Sequence, residues 1–326
     1  MVIMFVCRER GGGGARAGRR RRLPLAVVGT LALGVALTGC ASSAAQPVPS
    51  DGKPVVVAAF YPLQYAAQRV AGDRAHVAVL VPPGTEPHDY ELTPPQVASL
   101  SAADLVVYQA GLNAGLDQAV AQAGPANLVE TGSLVALAPP EDAAAPGATT
   151  TYGHDPHTWL DPSNMAAFAR GIAERLGAAD PSGAAAYRAG ADAFIAELTS
   201  LDADFRTGLS GCRTSVFLTT HAAFGYLARA YGLTQLAIAG VSPEDEPSPQ
   251  RLGELAQAAR DHGLTTVFFE TLVSPAYATT LADDLGLRTD VLDPVEGITP
   301  ASRGTDYLAV MRANLAALRT ANGCPA

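Results

Sequence analysis

The 326-residue chain is short of charge, and of cations most of all: 16% of residues are charged, with 22 Lys and Arg against 31 Asp and Glu. A net charge of −9 argues against a nucleic-acid binder, whose affinity rests on cations clustered against phosphates. Cysteine is equally sparse, four in all, with no Cys-x-x-Cys or other compact metal spacing. There is no His-Glu-x-x-His helix and no Gly-x-Ser-x-Gly elbow, so the usual signatures of zinc and serine hydrolases are missing. The apolar run near the start, Leu23 to Leu37, stops short of the roughly 20 residues that a membrane-spanning helix takes. What is present is apolar material: at 48% hydrophobic, the composition fits neither disorder nor a collagen. The length exceeds what one core usually organises, which suggests two domains or one domain plus a processed segment.

The charge is unevenly placed. Seven of the 22 cations (Arg8, Arg10, Arg16 and Arg19 to Arg22) and one of the 31 acids (Glu9) precede residue 40, leaving 15 against 30, or −15, for the remainder. A basic stretch followed by a short apolar run matches a secretory signal over residues 1–39. Leu37-Thr38-Gly39-Cys40 resembles the lipobox of bacterial lipoproteins, which implies cleavage before Cys40 and lipidation of that residue. The arginine run leaves Sec and twin-arginine export both open. Residues 40–53, rich in Ala, Ser and Pro, read as a flexible tether. Beyond it only Cys212 and Cys324 remain, an even pair outside the cytoplasm that is expected to form a disulfide.

From Pro54 onward β-rich runs alternate with helical ones. Strands are expected at Val55–Phe60, Ala75–Val81, Asp104–Ala110, Asn127–Glu130, Ser215–Thr219, Leu233–Ala239, Thr265–Glu270 and Arg288–Leu292, with helices starting near Pro62, Pro94, Asn113, Ala222, Pro249 and Pro275. Runs such as Val55-Val56-Val57 and Val267-Phe268-Phe269 are apolar throughout, as parallel sheets covered on both faces require. The expected fold is α/β: an N-terminal lobe over 54–160, linking helices over 161–210, and a C-terminal lobe over 211–326. Asp161-Pro162 and Asp180-Pro181 each place a capping carboxylate before a first-turn proline. Tyr187, Ala191, Phe194, Leu198, Leu201 and Phe205 then recur every three or four residues, the stripe of a long, rigid linking helix packed against both lobes. Ala138 to Thr151 is expected to be a mobile loop.

Ligands of parallel α/β sheets bind beyond the carboxyl ends of the strands. His88, His157 and His221 each follow an expected strand, and imidazoles from separate loops plus one oxygen suit a four-coordinate borderline metal such as zinc. Spacing alone leaves ordinary loop histidines open as the alternative. His76, His154 and His262 read as structural or plain loop residues.

Taken together, Glu-Pro-His-Asp-Tyr (86–90), Asp-Pro-His-x-Trp-Leu-Asp-Pro (155–162), His-x-Ala-Phe-Gly-Tyr (221–226), Phe-Phe-Glu (268–270) and Leu-Asp-Pro (292–294) resemble the metal-binding solute receptors of ABC transporters, specifically their zinc-uptake branch. The resemblance covers about residues 54–320. It implies two α/β lobes with the metal in the cleft between them, and it maps the three histidine ligands onto His88, His157 and His221. A histidine at the third of these positions resembles zinc receptors, whereas manganese-type relatives tend to carry a carboxylate there. For the fourth ligand both Glu296 and Asp293 stand in the matching segment, Glu296 being favoured, with water as a further candidate. The carboxylate left over is expected to orient a histidine or stabilise its loop. Glu86 and Glu270 are expected to cap or to hydrogen-bond around the site. The His-rich loop common in zinc receptors is nearly missing here.

The expectation is a monomeric, non-enzymatic receptor, lipid-anchored to the outer face of the cytoplasmic membrane, that captures Zn2+ as cargo and passes it to an ABC permease. Alternatives are the same role for manganese or another divalent transition metal, a lipid-anchored surface adhesion protein, or a zinc hydrolase.

Overall fold

The computed structural model describes residues 51–139 and 153–325. The signal segment, Cys40 and nearly all of the 138–151 loop therefore lie outside the described residues.

Two four-stranded sheets form, and every strand pairing in them is parallel. The first contains β1 (Val55–Ala58), β2 (His76–Val79), β3 (Leu105–Tyr108) and β4 (Leu128–Glu130) in the order β2-β1-β3-β4. The second contains β5 (Val216–Thr219), β6 (Thr234–Ala237), β7 (Thr266–Phe269) and β8 (Arg288–Val291) in the order β6-β5-β7-β8. Each strand falls inside a segment expected to be one. Placement follows hydrophobicity: β3 and β5, buried along their whole length, are central, whereas β2 and β8 contain no fully buried residue and lie at edges.

Helices α1 (Tyr61–Ala71), α2 (Pro94–Ala102) and α3 (Ala114–Ala123) connect the first sheet, and α4 (Pro162–Ala179) and α5 (Ala184–Gly208) follow it. In the second lobe α6 (Gly225–Tyr231), α7 (Pro249–Asp261) and α8 (Ala276–Leu285) connect the strands. Asn113, Asp161 and Ser248 accept hydrogen bonds from Leu116, Ser163 and Arg251 N–H, each satisfying a donor that the first turn of its helix leaves free.

Helix α5, of 25 residues, spans about 38 Å at ~1.5 Å per residue. Its buried residues are Tyr187, Ala191, Phe194, Leu198, Leu201 and Phe205, the expected stripe. Its start differs from expectation. The Asp180 carboxylate accepts from Ser182 N–H, the Ser182 hydroxyl and the Tyr187 hydroxyl, which fastens a turn over 181–183 and delays the helix to Ala184. Similarly α6 begins at Gly225 rather than near Ala222, because Ala222 N–H bonds to Gly240 O and keeps 222–224 in a loop.

A last helix, α9 (Tyr307–Asn322), has no counterpart among the expected elements. It packs on α5, where Gly208 sits against Leu315 and Arg319. At the other end of α5, Gly190 lets the helix meet α1: a Cβ there would lie 2.5 Å from Val70 O. One continuous apolar core joins the first sheet, α4, α5 and α9 with Phe217, Phe224, Phe268, Leu292 and Val295 of the second lobe, and a smaller core is confined to that lobe. Among the described residues no helix is long and apolar enough to cross a membrane.

Cys212 and Cys324 form a disulfide across a separation of 112 residues, tying the entry of the second lobe to the end of α9. On the chain-entropy account a loop of that length contributes about 4 to 5 kcal/mol. Replacing both cysteines by serine should lower the midpoint of thermal unfolding by roughly 10 °C, measured by calorimetry.

Candidate metal centre

Four loops at the carboxyl ends of strands meet at one point. His88 follows β2, and Glu86 shapes its loop by accepting from His88 N–H (2.9 Å) and Asp89 N–H (3.3 Å). His157 follows β4 and immediately precedes a short 3-10 turn (Thr158–Leu160) that leads into α4. Asp155 accepts from both the backbone N–H (2.9 Å) and the ring Nδ1–H (2.8 Å) of His157. His221 follows β5, and its Nδ1–H donates to Glu270, which lies just beyond β7 and also takes the Thr220 hydroxyl (2.6 Å). The His221 carbonyl is held by the Thr219 hydroxyl (2.7 Å) and the Gln235 amide (2.9 Å). Glu296 follows β8.

In His157 and His221 the carboxylate partner accepts a hydrogen bond from Nδ1–H, so Nε2 is the nitrogen turned to the centre. One donor atom from each of His88, His157, His221 and Glu296 lies within 4.8 Å of the others. Nε2 of His157 is 3.3 Å from Nε2 of His88 and 3.4 Å from Nε2 of His221. Glu296 Oε1 is 3.4 Å from His88 Nε2, 3.3 Å from His157 Nε2 and 3.9 Å from His221 Nε2. A tetrahedral ion with bonds of about 2.0 to 2.1 Å has ligand–ligand edges of about 3.3 to 3.4 Å, so four of these five separations are already those of a four-coordinate zinc site. All four residues are buried, and His88, 8% exposed, is the one nearest solvent.

The electrostatics favour a cation. Burial opposes charge on His157, but hydrogen bonds and charge from Asp155 and Glu296 outweigh it and push the imidazole up to about 9. Burial would raise Glu296, yet hydrogen bonds from His157 and His88 hold its carboxyl well below the usual carboxylate range. One oxygen each of Glu270 and Glu296 is buried without a hydrogen-bond donor among the described residues, while the corresponding oxygen of Asp155 has the Arg229 guanidinium 3.7 Å away. Carboxylate oxygens left in that state create a negative potential that a positive charge relieves.

Asp293 lies outside this group. Its oxygens are taken by Val295 N–H (2.8 Å), the Thr271 hydroxyl (3.1 Å) and the Ser302 hydroxyl (3.0 Å). Burial pushes its carboxyl above the ordinary value. Glu86 and Glu270 take the loop-capping and histidine-orienting positions expected of them. His76 starts β2 and His262 ends α7, both away from the centre. The sequence reading passed over Asp155, although the Asp-x-His spacing could have flagged it. It also passed over Trp159, whose ring centroid is 5.3 Å from that of His157 and whose indole N–H donates to Pro294 O (2.7 Å) in the Glu296 loop.

Residues 56–321 match the family described as zinc-uptake complex component A, periplasmic, or ZnuA. The chain belongs to the ZnuA family. It is 32% identical over 305 residues to the high-affinity zinc uptake system protein ZnuA of Bacillus subtilis, covering 90% of this chain and 96% of that protein. It is 36% identical over 283 residues to the zinc-binding lipoprotein AdcA of Streptococcus pneumoniae, covering 83% of this chain but 56% of AdcA, so it spans little more than half of that relative. The crystal structure of the Zn(II)-bound ZnuA-like domain of that AdcA superposes with a TM-score of 0.70 at 35% identity, over 83% of this chain and 99% of the domain. The ZnuA family is one of solute-binding receptors rather than of enzymes.

The shifted pKa values set a pH dependence. A raised His157 stabilises the metal-free fold fully below its unfolded value near 6.5, and that contribution is lost as pH climbs through about 9. The depressed Glu296 contributes above its unfolded value of 4.5 and is lost only when pH falls towards its lowered one. A metal must displace the His157 proton. Titration with Zn2+ near pH 7 in buffers of different ionisation heat should therefore show release of about one proton per ion, with apparent affinity falling about tenfold per pH unit below 9.

Proposed function

We propose that this protein is the receptor of a zinc importer: it captures Zn2+ between its two lobes outside the cytoplasmic membrane and passes it to an ABC permease. The observation that carries the reading is the buried group of His88, His157, His221 and Glu296, drawn from four loops and two sheets onto one point. Three imidazoles and one carboxylate are a nitrogen-rich, borderline set that suits zinc better than the harder manganese ion. Four protein donors complete the coordination and leave no open position for a water nucleophile, unlike a catalytic zinc site with three. The names of the relatives, a zinc uptake system protein in B. subtilis and a zinc-binding lipoprotein in S. pneumoniae, support the same role.

Glu296 is the fourth ligand in this reading, because its oxygen completes the tetrahedron while both oxygens of Asp293 are engaged elsewhere. The lipobox-like Leu37-Thr38-Gly39-Cys40 and the naming of AdcA as a lipoprotein support anchoring through Cys40 to the outer face of the membrane. One chain supplies all four donors, so capture needs no second copy, which supports action as a monomer.

Zinc titration against a chromophoric chelator tests the reading. The purified chain should bind one Zn2+ tightly, outcompete Mn2+, and lose binding by at least a hundredfold when His88, His157 and His221 are all changed to Ala. Equal binding by the triple variant would refute it.

A further inference from the structure

The loop that carries Glu296 holds a backbone conformation that its sequence does not favour. Val295 has φ of +61°, the one non-glycine residue with positive φ among those described. A β-branched side chain in the left-handed region is strained, and such strain persists only where the surroundings over-determine it. Here they do so from every side. Asp293 Oδ1 accepts from Val295 N–H (2.8 Å) and thereby closes the turn across Pro294. Asp293 Oδ2 takes the hydroxyls of Thr271 (3.1 Å) and Ser302 (3.0 Å), which fixes the carboxylate itself. Asn314 of α9 grips the same residue's main chain twice, accepting from Asp293 N–H (2.9 Å) and donating to Asp293 O (2.7 Å). Trp159 donates to Pro294 O (2.7 Å) from two residues beyond His157, and Tyr307 of α9 donates to Trp159 O (2.7 Å). The Val295 side chain is fully buried in the larger core.

None of these bonds reaches the centre, yet all but the Tyr307–Trp159 bond end on Asp293 or Pro294, the two residues before Val295, and so set where Glu296 points. We propose that Asp293 is a positioning residue: as a hydrogen-bonded clamp it holds the strained Pro294-Val295 turn that presents Glu296 to the metal. Trp159 couples that turn to the His157 loop of the other lobe. The proposal rests on the receptor reading above. It accounts for two acidic residues three positions apart with separate tasks, one to bind and one to aim.

Substitutions at the two carboxylates separate the tasks. The measurements are zinc affinity by chelator competition and the visible absorption of the Co2+-loaded protein, whose intensity is high for four-coordinate cobalt and low when water joins the shell. They are made on the full chain in detergent, with far-UV circular dichroism as the check on folding. E296Q should weaken zinc and dim the Co2+ bands. D293A, which leaves Glu296 in place but removes the clamp, should weaken zinc by roughly 10- to 100-fold and dim the bands likewise. D293N keeps an acceptor for Val295 N–H without the charge, and it should recover at least tenfold of that loss together with the intense bands. In D293A the emission of Trp159, the only tryptophan of the chain, should move to longer wavelength even without metal, because Pro294 O leaves the indole. A D293A protein with wild-type affinity and spectrum would overturn the clamp. So would a D293N protein as weak as D293A whose Trp159 emission stays at the wild-type wavelength, since the turn would then be held and the missing element would be the carboxylate charge itself. Failure of the wild type to bind Zn2+ is seen before any substitution is made, and it would overturn the receptor reading and this role together.

Discussion

The structure depends on holding three imidazoles and a carboxylate, all buried, with one donor atom of each within 4.8 Å of the others. Lone pairs converging at 3.3 to 3.4 Å repel unless a proton or a cation sits among them. Burial adds the cost of stripping water from each group. Such a cluster survives only if its scaffold is rigid enough to resist letting the four loops part. The surrounding carboxylates contribute as well. Asp155 and Glu270 fix the ring tautomers and add negative charge, so the site is oriented and poised before a cation arrives.

Rigidity comes from where the core runs. The larger apolar core extends from the first sheet through α4, α5 and α9 into the site-facing side of the second lobe, with no break at the cleft. Helix α5 lies at its centre, meeting α1 through Gly190 and α9 through Gly208. Trp159 and Tyr307 add buried hydrogen bonds from that core to the metal-facing loops of both lobes. A fold built this way resists large rotations of the lobes, which would tear a shared core.

Much of this was legible in the residues. Continuous apolar runs identified the central strands, proline and capping residues marked most helix starts, and a three-and-four spacing traced the buried face of α5. The failures were local. Asp180 looked like a helix cap, but the Ser182 and Tyr187 hydroxyls captured its carboxylate, a competition that spacing does not rank. Ala222 looked helical, but its N–H pairs with Gly240 on another loop. Helix α9 went unread, and with it Asn314, a buried amide that bonds the Asp293 backbone 21 residues away.

By itself the sequence determined the two parallel-sheet lobes, the linking helix and the three histidines beyond strand ends, because periodicity and strand-end position are properties of neighbouring residues. Between Glu296 and Asp293 it favoured Glu296 through the family resemblance alone, with no physical ground to separate them. Both are acidic, both follow β8, and they stand three residues apart. What separates them is a left-handed Val295 and the partners waiting on either side: two hydroxyls for Asp293, three imidazoles for Glu296. Those partners come from the loops after β5 and β7, the 299–302 turn and the opposite lobe. Only the tertiary structure brings such distant residues together, since the direction of a side chain is decided by what packs around its backbone.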